Sequence, residues 1–592
     1  MKKIITSLTI SLFTLVFYGH TNSVQAADFS VEIERTYLIE TPNEIKVTEI
    51  RKVTNTSQNR IISKDNNEIF QILVISDNQE KLAPSFLSVE TFVDGKIVQN
   101  TKGKEAEDST EVLVPYGSSI GIKQSKEFKI TYNNYGLIKK TGALTDIFIP
   151  GFWKDFTFEN ENTLFSYKTR IKLAKSLGEV GFVVPVPLET IDTGDYLEYS
   201  IGQESLVGSN MWLQIGNSQY YQFAIKQKVK ASDDINKGYF NEYRLIVPRD
   251  IVEAEVKQQV YFSKLEPPPK EVLNDDEGNL IAVFAIPSHE ETIVSVEGYA
   301  HVSRLTTKIT NSNSGKLSDI PSTQFTKYLN SAEFWEVNDP TIKARANELL
   351  GGMSNVYEVI ETDYNHIVET IDYSEVKRFG INERQGALKT LQGGAAVCME
   401  YSDLFLTLTR AQGIPARAAF GYGYDARLEE QGQDAHQWVQ VFIPEQNEWI
   451  SVDVTWGESG PTLIGGDLNH FYTHVAAIDP NTPASIERTS YGKRVDLVAP
   501  EFEIKAIERI PDQDGLDTQS ELLVKHPVVT GNEFQNFIEE MTLKVQALGI
   551  PAILSRNAIY IVYSGIGLLF ISGVLFIKLL FDVFLRRSTK KV

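Results

Sequence analysis

The strongest constraint on this chain is a change of period along its length. From about residue 28 to 310, apolar and polar residues alternate: Phe29, Val31 and Ile33, then Ile120 and Ile122, then Phe128, Ile130 and Tyr132. Alternation with period two buries one strand face and wets the other. Turn-forming pairs such as Asp77-Asn78, Asp94-Gly95 and Asn133-Asn134 separate the runs. The pattern predicts an antiparallel β-sandwich-like region in two domains, 28–155 and 156–310. The acidic run Asn274-Asp275-Asp276-Glu277-Gly278-Asn279 lacks the later bidentate acid of a calcium loop and reads as a hairpin turn. A linker follows at 311–325, rich in Asn and Ser.

Beyond the linker the period becomes helical. Ile342, Ala344, Ala346, Leu349 and Leu350 predict a helix over Pro340–Tyr357. Arg384–Leu391 and Met399–Ala411 predict two more, the last stopped by Gly413 and Pro415. Three strands are expected next, Ala416–Tyr424, Ala435–Ile443 and Trp449–Thr455. Helices followed by a sheet make an α+β domain, set at 326–500. A polar stalk or packing extension is expected at 501–556.

The ends carry addresses. Met1-Lys2-Lys3, an apolar stretch from Ile4 to Tyr18 and small residues at Val24-Gln25-Ala26-Ala27 read as a signal peptide over 1–26. Ala558–Ile577 is uncharged and long enough to cross the roughly 30 Å hydrocarbon layer as a helix. That predicts one transmembrane helix with its flank at 557–585. The basic tail at 586–592, with Arg586, Arg587, Lys590 and Lys591, is expected in the cytoplasm. The bulk of the chain is therefore expected outside, anchored to the cell membrane. The net charge is −21, and most of the excess acid falls in that exported part. Such a surface repels nucleic acid, which is excluded as a partner.

Cys398 is the sole cysteine among 592 residues. A lone thiol forms no internal disulfide and is an oxidation liability in an exported chain. Nucleophilic catalysis would give it a use. It immediately precedes a predicted helix, whose N-terminus favours a thiolate. His436 and Asp453 follow at spacings of 38 and 17 residues, on strands joined by a hairpin turn at Pro444–Glu448. An acid in that position can hold an imidazole in one tautomer. Taken singly, each residue has an ordinary structural use: a buried thiol, a strand histidine, a turn aspartate. His470 and His474 stand four apart, but a third metal ligand is not evident, and no metal or other cofactor is assigned.

The segments Gly394-Ala395-Ala396-Val397-Cys398-Met399-Glu400-Tyr401, Gly413-Ile414-Pro415-Ala416-Arg417, His436-Gln437-Trp438-Val439 and Trp449-Ile450-Ser451-Val452-Asp453 resemble the core of the transglutaminase-like superfamily. The resemblance spans roughly residues 330–480. It implies a papain-like fold with Cys398 as nucleophile, His436 as base and Asp453 as orienter. Gln392, six residues before the cysteine, is the candidate oxyanion donor. Trp438 and Trp456 are candidate groove walls or core fillers, and Arg417 is expected to be structural. The implied activity is acyl transfer or amide hydrolysis on a cell-surface or wall protein or peptide. The competing expectation is an idle scaffold that keeps the fold for binding.

Overall fold

The computed structural model describes residues 28–73, 88–105, 109–151, 163–202, 210–230, 241–286, 291–380, 383–424, 433–458, 462–478, 487–488, 496–497, 501–511 and 513–528. The expected signal peptide, membrane helix and basic tail lie outside these residues. Among the described residues, no helix is long and apolar enough to cross a membrane.

The chain is multidomain and strand-rich, and it divides into two compact units. The first takes 1–137, 150–174 and 187–210; the second takes 138–149, 175–186 and 211–592. The chain thus passes between units repeatedly around 138–210, where the sequence reading sets one boundary at 155. Alternation identifies strands, but it carries no information about which sheet receives each one.

In the first unit, eight strands form one sheet, with Phe29–Ile39 and Ile45–Asn55 near its middle. The expected antiparallel order holds for most pairs but not for all. Phe29–Ile39 pairs with Thr163–Ala174 in parallel. A parallel neighbour needs a long crossover, and here more than a hundred residues separate the two strands, enough to build the intervening strands first. Charged residues cross this unit's interior. Glu49 bonds Arg35 at 2.6 Å and Arg51 at 2.7 Å, and Arg51 bonds Glu68 at 2.9 Å.

The second unit opens with a β region. Ser218–Lys230 and Glu291–Arg304 pair along thirteen positions, and Val256–Glu266 flanks the latter. Tyr221, Phe223, Phe262, Phe284 and Val296 fill the space between this sheet and the one holding Leu280–Ile286. The expected hairpin is present: Glu271–Asn274 pairs with Leu280–Ile286, and Asp275 accepts the Glu277 and Asn279 N–H groups at 2.8 Å. The 501–556 segment is tied to this region where it is described, since Glu501–Ile507 pairs with Ser218–Lys230.

The α+β core then folds as five helices on a five-stranded sheet. Helix α1 (Pro340–Leu350) is capped by Asp339 and stops at Gly351, whose φ of 51° is left-handed. The helix expected to run to Tyr357 therefore breaks at Gly351-Gly352, and α2 (Val356–Thr370) starts afresh on an Asn355 cap. Helices α3 (Glu375–Phe379), α4 (Ala387–Leu391) and α5 (Cys398–Ala411) follow. The sheet order is 463–464, 448–453, 433–443, 416–424, 470–476. Val439, Val441, Ile450 and Val452 pack with Leu404, Phe405 and Leu408 of α5, so the helices cover one face of the sheet. His436 and Asp453 project from the opposite face, while Cys398 stands at the head of α5 on the helix side.

Candidate active site

Cys398 is the first residue of α5 and is partly exposed. The turn before it is pinned by Glu400, whose carboxylate accepts the Val397 N–H at 3.1 Å and pairs with Lys377 at 2.6 Å. Deeper in α5, buried Asp403 accepts Trp335 Nε1–H at 2.7 Å, Arg384 Nε–H at 2.8 Å and Gln437 Nε2–H at 3.2 Å. Gln437 adjoins His436, so this carboxylate couples the cysteine helix to the histidine strand. Ser402 adds a second link, donating to the Gln437 carbonyl at 2.9 Å.

The sheet register assembles the remaining residues. In an antiparallel pair, residues opposite one another share a face. His436 stands opposite Gly421, Trp438 opposite Ala419, and His470 opposite Gly423. The strand between the two histidines therefore carries glycine at both facing positions. A Cβ at Gly423 would come within 2.5 Å of the Trp456 ring and 3.4 Å of the His436 ring. Two bare positions let imidazole and indole rings lie across the strand.

His436 Nε2 lies 2.9 Å from Asp453 Oδ2. Burial disfavours the charged ring, but the Asp453 carboxylate outweighs it by charge and hydrogen bonding, and the Cys398 thiol adds a smaller push. The net effect raises the His436 pKa to about 10. With Nε2 engaged by Asp453, Nδ1 is the nitrogen left for the thiol. For Asp453, burial would raise the pKa, yet His436 and His470 hold it well below the usual carboxylate range. Its Oδ1 also accepts the Thr455 N–H at 2.9 Å.

His470 is the participant that sequence reading did not place here. Its Nε2 lies 3.1 Å from Asp453 Oδ2, and its Nδ1 lies 2.6 Å from Asp467 Oδ1. Its expected neighbour His474 sits apart, stacked on Phe420 at 4.6 Å. Burial and nearby Arg249 push His474 down to about 3. Among the described residues, His436, Asp453 and His470 are the cluster whose donor atoms could surround a metal. Both Nε2 atoms are already spent on one carboxylate oxygen, so the cluster is a closed hydrogen-bond chain.

The other expected residues divide. Trp456 is partly exposed and stacks on His436 at 5.3 Å, a position compatible with a groove wall. Trp438 takes the core place of the two alternatives: it is 1% exposed, packs with Ala419, Tyr472 and Val475, and donates to Ser451 Oγ at 2.9 Å. Facing the same side as His436 placed it in the core, because that face is covered by the β region. Gln392 is exposed at the end of α4, while Gln385 is the glutamine whose amide reaches the Ala395 carbonyl, at 2.6 Å. Arg417 is buried, bonds Gln440 at 2.7 Å and lies over Trp449 at 4.3 Å.

Residues 343–454 match the model of the transglutaminase-like superfamily. Among solved structures, the chain is similar to the "Putative Cysteine Protease" from Cytophaga hutchinsonii at 15% identity. That match covers 51% of this chain and 98% of that one, with a TM-score of 0.36. It is also similar to the periplasmic domain of TgpA from Pseudomonas aeruginosa, at 15% identity over 41% of this chain and 94% of that one, with a TM-score of 0.21. No curated protein matches the chain.

Proposed function

We propose that this chain, whose residues 343–454 belong to the transglutaminase-like superfamily, is a membrane-anchored, extracytoplasmic cysteine enzyme. It acts by acyl transfer or amide hydrolysis on surface protein or wall peptide. The observation that most supports this is one ring, His436, bonded to Asp453 at 2.9 Å and influenced by Cys398.

The chemistry follows the geometry. Cys398 opens a fourteen-residue helix, so its sulfur lies at the positive end of the helix dipole. The sulfur attacks a carboxamide or peptide carbonyl carbon, and the carbonyl π pair moves to oxygen. The Cys398 N–H, in a helix turn whose donors lack intrahelical acceptors, is the natural donor to that oxyanion. As the C–N bond breaks, His436 gives its proton to the departing amine, leaving a thioester. Water or a second amine then attacks, His436 takes the proton, and the thiolate leaves. Asp453 keeps the ring oriented and steadies its charge throughout. Water yields hydrolysis, and a protein amine yields an isopeptide crosslink.

The test is incubation with a labelled primary amine and a glutamine-bearing protein, following label incorporation and ammonia together. Incorporation lost in Cys398→Ser and His436→Ala supports transfer. Ammonia or peptide release without incorporation supports hydrolysis. Neither product, with the two variants indistinguishable from the unaltered chain, would leave the fold as a binding scaffold.

A further inference from the structure

We propose that His470 is a positioning residue of this site: held between Asp467 and Asp453, it orients the Asp453 carboxylate toward His436 and offsets part of its charge. The proposal rests on the active-site reading above and extends the three-residue chain to a fourth and fifth member.

Asp453 Oδ2 receives two rings, His436 Nε2 at 2.9 Å and His470 Nε2 at 3.1 Å. The other nitrogen of His470 faces Asp467 Oδ1 at 2.6 Å. An ionised carboxylate only accepts hydrogen bonds. A ring with ionised carboxylates at both nitrogens must therefore donate from both, which makes it an imidazolium. Consistent with this, burial opposes the charge on His470, but Asp467 and Asp453 together raise its pKa to about 9.

The surroundings leave this ring little freedom. Asp467 is itself fixed by the Asn469 N–H at 2.9 Å. Trp438 and Trp456 close on the His470 ring, each with centroids 4.7 Å away. The charged and titratable groups facing the pair are His436 and Asp453 from neighbouring core strands, Arg304 and Tyr221 reaching Asp467 from the β region, Tyr472 reaching Asp467 from the same core sheet, and Tyr364 of α2 reaching Asp453. Gly423, opposite His470, supplies the space.

The consequence concerns proton transfer. Asp453 alone would hold the proton on His436 tightly, and a proton held too tightly is slow to reach a leaving amine. A second cation on the same oxygen weakens that hold while keeping the carboxylate in place. Removing that cation must raise the proton affinity of His436, whose ring centre is 5.4 Å from that of His470.

The experiment is the pH profile of Cys398 alkylation by iodoacetate in the full chain. The reagent is an anion attracted by an imidazolium beside the sulfur, so its rate falls as that ring loses its proton. His470→Gln is expected to move this alkaline limb upward by about one pH unit. Asp467→Asn, which releases the charge on His470 without altering a ring, moves it the same way by less. His474→Gln leaves it in place. A limb unmoved or lowered in both His470→Gln and Asp467→Asn overturns the proposal, and if His470→Gln does not fold, Asp467→Asn decides alone. His436→Ala separates the two readings: loss of the limb supports the active site, whereas its survival overturns that reading and this one together.

Discussion

Among the described residues, each unit buries a four-membered chain of alternating acids and bases. In the first unit the sequence of contacts is Arg35–Glu49–Arg51–Glu68; in the second it is His436–Asp453–His470–Asp467. Both are almost fully withdrawn from water, both join acids and bases across strands, and both are satisfied by short hydrogen bonds. Their chemistry differs because a guanidinium does not release its proton in a protein and an imidazole does. Burial with ion pairing is therefore no mark of a catalytic site by itself. Transferable protons and a thiol influencing one of the rings distinguish the second chain.

The largest expected effect tests that distinction. Cys398→Ser abolishes turnover, and Asp453→Asn, which mis-sets the His436 tautomer, lowers it by about 10³–10⁴-fold, read from initial rates of ammonia or peptide release. Next comes the structural chain. Glu49→Gln leaves two buried guanidinium groups short of a countercharge and costs about 3–5 kcal/mol in denaturant unfolding. The Cys398 alkylation rate should not change in that variant, and a parallel fall in reactivity would break the comparison.

A third prediction uses pH. His436 and His470 have folded pKa values raised to about 10 and about 9, above the usual 6.5 of the unfolded side chain. The stability they contribute is fully present below about pH 6.5 and is lost as pH rises through those values. Thermal unfolding of the second unit should therefore weaken between pH 6.5 and 10, and less so in Asp453→Asn. Arginine-based pairs show no such loss in that window. The smallest effect is at Trp438. Replacement by Phe removes the bond to Ser451, a loss of about 1 kcal/mol measured by unfolding.

The comparison also shows what a linear sequence can carry. The closeness of His436 and Asp453 is legible because a hairpin joins their strands, whereas the meeting of Cys398 with His436 is implied only by the family resemblance, since it depends on how α5 packs on the sheet. The three strands from Ala416 to Asp453 appear within two residues of their expected bounds. His470 was not legible, since its place depends on an edge strand pairing back to 416–424 beyond the hairpin. The signal available was Gly421-x-Gly423, two bare positions in an otherwise side-chain-bearing strand. For Trp438, strand parity gives its face but does not choose between groove wall and core, because it does not show that the β region covers that face. In the first unit, the parallel pairing of Phe29–Ile39 with Thr163–Ala174 was equally hidden, because alternation is the same in parallel and antiparallel strands.

The most direct measurement is the rate of iodoacetamide alkylation at neutral pH, which in this chain reports on one thiol alone because Cys398 is the sole cysteine. If His436 activates that thiol, alkylation runs faster than for free cysteine and drops to or below the free rate in His436→Ala. A rate no faster than free cysteine, and unchanged by His436→Ala, would contradict the account.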